Sequence, residues 1–283
     1  MKKAISSAFG LFAALAIGFA NNVDNISYQP KDKVIFEKYC EYIKPFESNT
    51  LQELIVKSAQ FFLDAPYEGG TCELIPERLV INLHEFDCVT LVESCFALSR
   101  MVKSGTLTWQ QYGKELMRIR YRSGKMTDYP SRLHYSTDWI YDNVEKKQVA
   151  DINKKIGGDR LILNLNFMSQ HADAYPALKE TPSFIPIIES IEKNINTRTY
   201  YYIPKEKFEK LSTGIESGDI IFFTTSIKGL DVIHAGIAYR KDNVLTFIDA
   251  SSKYNKVVIE DISIQEYLKQ RKPATGIIIA RPL

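Results

Sequence analysis

Histidine, tryptophan and cysteine are scarce in this chain of 283 residues, with four, two and four respectively. Each scarcity excludes something. Cys88 and Cys95, seven residues apart on one helix, are separated by about 10 Å along its axis, beyond disulfide reach. A Cys40–Cys72 bridge stays open, but the chain is not a disulfide scaffold. It has no Cys-x-x-Cys pair, no His-Glu-x-x-His and no His/Glu cluster at ligand spacing, which disfavours zinc-dependent chemistry. No metal or cofactor is expected, and Gly157-Gly158 follows no strand pattern suited to phosphate. Internal repeats and Gly/Ser linkers are also missing.

Charge of one sign is lacking once the N-terminus is set aside. Lys2 and Lys3 precede an apolar run, Ala4 to Ile17, and Gly18-Phe19-Ala20 ends in small residues. That reads as a cleaved secretory signal at 1–20, with an exported, periplasmic product. The alternative is a retained anchor, but about 17 apolar residues are short for a membrane span. Because Lys2 and Lys3 are the only charged residues there, 34 basic and 34 acidic groups remain. Zero net charge gives no support for nucleic acid or an anionic membrane as partner, and a monomer is expected.

What is present is a full core's worth of apolar residues, 45% of the chain. Helical spacing occurs over 31–47, from Thr50-x-x-Glu53, from Asp87 through Val102, from Thr108 to about Arg120, from Ser136 as cap to about Lys147, and over 183–195. Residues 160–167 read as a strand, and from about 200 strands follow at 200–203, 219–224, 231–240, 244–249, 256–260 and 275–281. Asp242-Asn243 turns a hairpin, and Ser263-x-x-Glu266 caps a last helix. Helices first and antiparallel strands afterwards predict an α+β fold, with 21–283 as one domain elaborated at 106–200.

Cys88 sits at the first turn of a buried helix capped by Asp87, where unpaired N–H groups and the dipole favour a thiolate and could hold an oxyanion. Most buried cysteines are inert, so a base is needed. His234 lies in the strand Val232-Ile233-His234-Ala235-Gly236-Ile237, and Asp249 in the next strand. Facing residues of adjacent strands lie about 5 Å apart, so Asp249 can orient His234 in a Cys–His–Asp arrangement. The competing readings are a satisfied strand histidine and a capping aspartate before Ser251. In the elaboration, Arg132 suits a carboxylate, Tyr121, Tyr135 and Trp139 suit stacking on a sugar, and His134 or His171 can hydrogen-bond it. Trp139 and Tyr135 equally fit a core-facing helical stripe, and His171 a structural role. His84 reads as a loop residue.

Asp87-Cys88, Gly218-Asp219-Ile220-Ile221-Phe222-Phe223, His234-Ala235-Gly236-Ile237 and Phe247-Ile248-Asp249-Ala250-Ser251, in that order, resemble the NlpC-type cell-wall cysteine peptidases. The resemblance implies a papain-like fold in which the nucleophile's helix packs on a small, barrel-like antiparallel sheet. It also implies a tyrosine near the thiol, matched by Tyr67 in Ala65-Pro66-Tyr67. Many members carry histidine where this chain has Asp249. Over about 50–283 the chain is similar to the N-acetylmuramoyl-L-alanine amidase-like branch. The motifs are Phe86 to Glu93, Ile119-Arg120-Tyr121-Arg122, Ser131-Arg132-Leu133-His134-Tyr135, Asp138-Trp139-Ile140 and Phe167-Met168-Ser169-Gln170-His171. That likeness implies cleavage of the amide between N-acetylmuramic acid and L-alanine in muropeptides, anhydro forms included, and adds Ser169 and Ser251 as substrate-side candidates. A stem-peptide endopeptidase and a non-catalytic muropeptide-binding protein are the alternatives.

Overall fold

The structure, a computed structural model, describes residues 26–283, and the signal segment read at 1–20 lies outside them. A two-residue strand β1 (Ile26–Ser27) leads into α1 (Pro30–Ile43), which has proline at its first position, where its missing N–H costs nothing. Thr50 and Glu53 close a capping box at the start of α2 (Leu51–Phe61). Strand β2 (Leu79–Val80) pairs in parallel with β1. Helix α3 (Cys88–Lys103) then runs from Asp87 to Ser104, and Gly105 (φ +71) takes the left-handed position that stops it. Chain order continues with α4 (Trp109–Arg120), α5 (Ser136–Glu145), β3 (Val149–Asp151), β4 (Asp159–Leu161), α6 (Phe167–Gln170), α7 (Pro176–Glu180) and α8 (Ile185–Thr197). Strand β5 (Tyr200–Pro204), α9 (Phe208–Leu211), β6 (Ile220–Thr225), β7 (Val232–Lys241), β8 (Val244–Ser251), β9 (Lys256–Ile259), α10 (Ile264–Gln270) and β10 (Ala274–Pro282) complete it.

The main sheet has strand order β4-β5-β10-β6-β7-β8-β9, with β3 also on β10, and its pairings are antiparallel. Asp242 and Asn243 both have positive φ (48° and 67°), the turn that joins β7 to β8 with the twist of a hairpin. The sheet is not the barrel-like closure that the family resemblance implied. The outer edge of β9 is occupied by the segment 64–67: Asp64 donates to Val257 O, Val257 to Ala65 O, and Pro66 bridges Lys256. With that edge satisfied, β9 has nothing to offer β4.

Helix α3 lies against β7 and β8. Its Leu91, Cys95 and Phe96 share one core with Ala235, Ile237, Ile248 and Ala250. The opposite face of the sheet packs Phe223, Phe247 and Ile279 on Ile264, Tyr267 and Leu268 of α10. A third cluster, including Tyr135, Leu165, Met168, Ile188 and Ile195, belongs to the stretch between α4 and β5.

Two local expectations change. The strand at 160–167 stops at Leu161, because the Asn196 amide binds both backbone groups of Leu165 (2.8 and 3.0 Å) in place of a neighbouring strand. Ser136 does not cap α5. It is the helix's first residue, and Asp231 supplies the cap from another element, accepting from Thr137 N (2.8 Å) and Thr137 Oγ1 (2.9 Å).

Candidate active site

The thiol position is set by Asp87. Its Oδ1 accepts from Val89 N (3.0 Å) and Thr90 N (2.7 Å), and Thr90 Oγ1 accepts from Asp87 N (2.9 Å). This reciprocal cap fixes Cys88 at the first helical residue. It also corrects one expectation: two of the first-turn N–H groups are already taken, which leaves the Cys88 N–H as the helix's own donor for an oxyanion. The segment before the helix brings Tyr67 alongside. Phe86 N donates to Pro66 O (3.0 Å) and Glu68 N to Phe86 O (2.9 Å), so 66–68 run beside the residues leading into Cys88. Burial raises the Tyr67 phenol's pKa, and Cys88 and then Asp87 add to that shift.

Alternation along β7 and β8 puts His234 and Asp249 on the face that carries Phe223 and Phe247. The imidazole is bounded by Phe223, Phe247 and Tyr267, with ring centroids 5.8 to 6.2 Å away. His234 Nε2–H donates to Asp249 Oδ2 at 2.7 Å, and Asp249 is fully buried. The Nδ1 edge is then the one left for Cys88, which lines the same cavity and lies close enough for a thiolate there to raise the pKa of the ring. Burial by itself would lower the His234 pKa. Cys88, then Asp249, outweigh it and hold the imidazole well above its ordinary value. Gly236 makes this packing possible. A Cβ there would meet the Phe247 ring at 2.8 Å and Asp249 Cβ at 3.6 Å.

Cys88 and His234 line one cavity of about 230 Å³, together with His134, Tyr135, Met168 and Tyr175. Other residues singled out in the sequence fall elsewhere. Tyr121 is buried and donates to Glu77 (2.7 Å), and Trp139 is buried with its indole N–H on Glu93 (3.1 Å). Neither can stack on a ligand. Arg132 is not free for a substrate carboxylate, because Glu73 (2.8 Å) and Glu77 (3.2 Å) already neutralise it. Tyr135 keeps its ring on the cavity, but its hydroxyl is bound to Glu192 (2.7 Å). The Ser169 hydroxyl goes to the same carboxylate, and His171 is exposed, bonded to Phe167 O and stacked on Phe167. Ser251 is buried beside Glu260 and Tyr267, on a different cavity. Cys40 and Cys72 are unbridged.

His134 stays at the site. Its Nε2–H donates to Tyr129 O (2.8 Å), and burial, with Arg132 nearby, holds its pKa well below the ordinary value. It therefore offers a neutral ring whose Nδ1 is an acceptor. Sequence reasoning missed Glu73, Tyr129 and Asp231, which also line the cavity. Glu73 Oε2 and the Tyr129 hydroxyl are buried without a partner. A carboxylate in a loop and a tyrosine before proline carry no periodic signal that would have marked them.

The N-acetylmuramoyl-L-alanine amidase-like family model matches residues 57–277. Among solved structures, the chain is similar to an N-acetylmuramoyl-L-alanine amidase from Bacteroides uniformis, at 36% identity and TM-score 0.79, over 82% of this chain and 99% of that one. It is also similar to a candidate xylanase from Bacteroides fragilis, at 37% identity and TM-score 0.76, over 79% and 98%. A Legionella pneumophila protein at 21% identity shares the fold, with TM-score 0.66 over 89% of this chain and 94% of that one. Among curated proteins no sequence matches.

Proposed function

The chain belongs to the N-acetylmuramoyl-L-alanine amidase-like family, and from that premise we propose that it is an exported cysteine amidase of peptidoglycan fragments. The reading is a papain-like, NlpC-type mechanism on the amide between N-acetylmuramic acid, anhydro forms included, and L-alanine. The observation that carries it is the His234 Nε2–Asp249 bond of 2.7 Å, with the ring's other edge turned to Cys88 on a shared cavity.

In this reading, the Cys88 thiolate attacks the lactyl carbonyl carbon while His234 carries the proton. The Cys88 N–H, with the Tyr67 hydroxyl, receives the developing oxyanion. His234 then gives its proton to the leaving L-alanine nitrogen as the C–N bond breaks, forming a thioester. The neutral imidazole takes a proton from water, hydroxide attacks the thioester, and the muramic acid carboxylate leaves with Cys88 restored. Asp249 keeps the imidazole in the right tautomer and favours its charged form. His134 Nδ1 and the unpartnered Glu73 Oε2 and Tyr129 hydroxyl are the polar groups offered to the sugar and its N-acetyl group, and Tyr135, Met168 and Tyr175 the apolar ones.

A xylanase needs two carboxyl groups flanking the bond. Here Asp231 is held by Thr137 and Glu73 by Arg132, which favours the thiol reading over that of the Bacteroides fragilis structure's name. The test is mass spectrometry of purified muropeptides incubated with wild type and Cys88→Ala. A stem peptide beginning with free L-alanine, from wild type alone, is expected. A shortened stem instead would make the enzyme an endopeptidase, and unreacted spectra from both proteins would refute any hydrolase.

A further inference from the structure

A cavity of about 380 Å³, larger than that at Cys88, lies between β1, the 68–74 loop and the 80–85 segment. Gly70 lines both this cavity and a smaller one walled by Arg120 and Arg132. The smaller one in turn shares Glu73, Val89 and His134 with the Cys88 cavity. The three therefore adjoin in a row.

The titratable groups of the large cavity are Tyr28, Asp32, Glu68, His84 and Glu85, and neither lysine nor arginine lines it. At its base lies a second His–Asp pair, which the chemistry at Cys88 does not use. Asp32, almost fully buried, accepts from Gln29 N (2.7 Å), Leu83 N (2.8 Å) and His84 Nδ1 (2.6 Å). That fixes the His84 ring with Nε2 turned away from Asp32. The side chain is only 9% exposed, Nε2 is buried without a hydrogen bond, and its nearest charge is Glu85 Oε1 at 3.3 Å. Thr71 Oγ1, on the same cavity, is likewise buried and unpartnered.

Acceptors converge here, with an acidic balance whether or not His84 is charged, so the fitting ligand is a cation rich in N–H donors. Among the described residues no three His, Cys, Asp or Glu side chains form a metal set, which points to an ammonium group. Distance narrows it further. Glu85 precedes Cys88 by three residues, at most about 10 Å of chain. A stem peptide whose first amide sits at Cys88 extends its third residue over the same range. The glycan, being N-acetylated, has no cation to offer.

We propose that this cavity receives the side-chain ammonium of a diamino residue at the third position of the stem peptide, making Glu68, His84 and Glu85 specificity determinants. The proposal rests on the amidase reading, and its test is separable from that reading. Calorimetry would compare Cys88→Ala protein binding N-acetylmuramoyl-L-alanyl-γ-D-glutamyl-L-lysine with the same ligand acetylated on the lysine side chain. A preference of about tenfold for the free amine is expected, as for a hydrogen bond to a charged group. It should vanish when Glu68→Gln and Glu85→Gln are added. Equal affinities, a preference that survives those substitutions, or no binding of either ligand would overturn it. Hydrolysis by wild type, read by mass spectrometry, decides the amidase reading on its own. Amide cleavage with equal binding removes only the subsite, and selective binding without cleavage removes only the amidase.

Discussion

At the residue scale, one histidine carries most of the consequences. His234 is held above its ordinary pKa by Cys88 and Asp249 against the pull of burial. A group whose pKa is raised on folding adds stability below its unfolded value, near 6.5, and loses it as pH rises through the folded value. The melting temperature of wild type relative to His234→Gln should therefore narrow on the alkaline side, and hydrolysis should fall over the same range as the leaving nitrogen loses its acid. NMR titration of the ring checks both. In Cys88→Ala the His234 pKa should drop, and a wild-type value at or below 6.5 would contradict the arrangement. Asp249→Asn should keep the fold and lower kcat by about ten-thousandfold, the scale seen when an orienting carboxylate is lost, with KM little changed in steady-state assays. That Cys88, His234 and Asp249 come together was legible because each carries a short-range signal: a cap before an apolar helix, and polar residues in apolar strands. Arg132 was misread for the opposite reason. Its neutralising partner Glu73 is 59 residues away, and no local pattern reveals a charge cancelled at that distance. Tyr121 and Trp139 misled in the same way, through partners Glu77 and Glu93 on other elements.

At the scale of elements, α3 is the hub, and a buried ion pair decides where α4 and α5 sit on it. Glu93 accepts from Arg120 Nε (2.6 Å) and from Trp139 Nε1 (3.1 Å), and Arg120 also donates to Val80 O (2.7 Å). One carboxylate on the Cys88 helix thus holds a residue from each of the next two helices, and the arginine reaches on to β2. Such a pair adds little over an apolar replacement, but removing one partner strands a charge at a cost of about 3–5 kcal/mol. Arg120→Met should lose that much in urea unfolding, and the double variant Glu93→Leu/Arg120→Met should recover most of it. If the double variant is no better than the single, Glu93 is not the stranded group. Helix positions were readable here because caps and stripes are local. Sheet closure was not, since it depends on which segment reaches the edge of β9. That segment, 64–67, reads as a loop because its hydrogen bonds go to residues nearly two hundred positions later.

At the scale of the whole molecule, the cavity is built by two packing units that need not share a stability. Cys88 belongs to the core of α3, whereas Tyr135, Met168 and the flanking Tyr175 belong to the cluster between α4 and β5. The second unit is small, and its polar centre is one carboxylate. Glu192, almost fully buried, accepts from Tyr135 Oη (2.7 Å), Ser169 N (3.1 Å) and Ser169 Oγ. Loss of that acceptor leaves buried donors unpaired, at a cost of about 1–3 kcal/mol each, concentrated in the unit with least apolar packing to absorb it. Glu192→Ala should therefore loosen one wall of the cavity and leave the other alone. Hydrogen exchange should quicken over 165–196 while α3 stays protected. KM for muropeptides should rise about tenfold or more, yet alkylation of Cys88 by iodoacetamide, followed at the peptide level, should keep its wild-type rate because the thiol, His234 and Asp249 lie outside the loosened unit. A parallel loss of Cys88 reactivity would mean that the two units open as one. The division of labour between a rigid reacting wall and a separately stabilised recognising wall would then have to be given up.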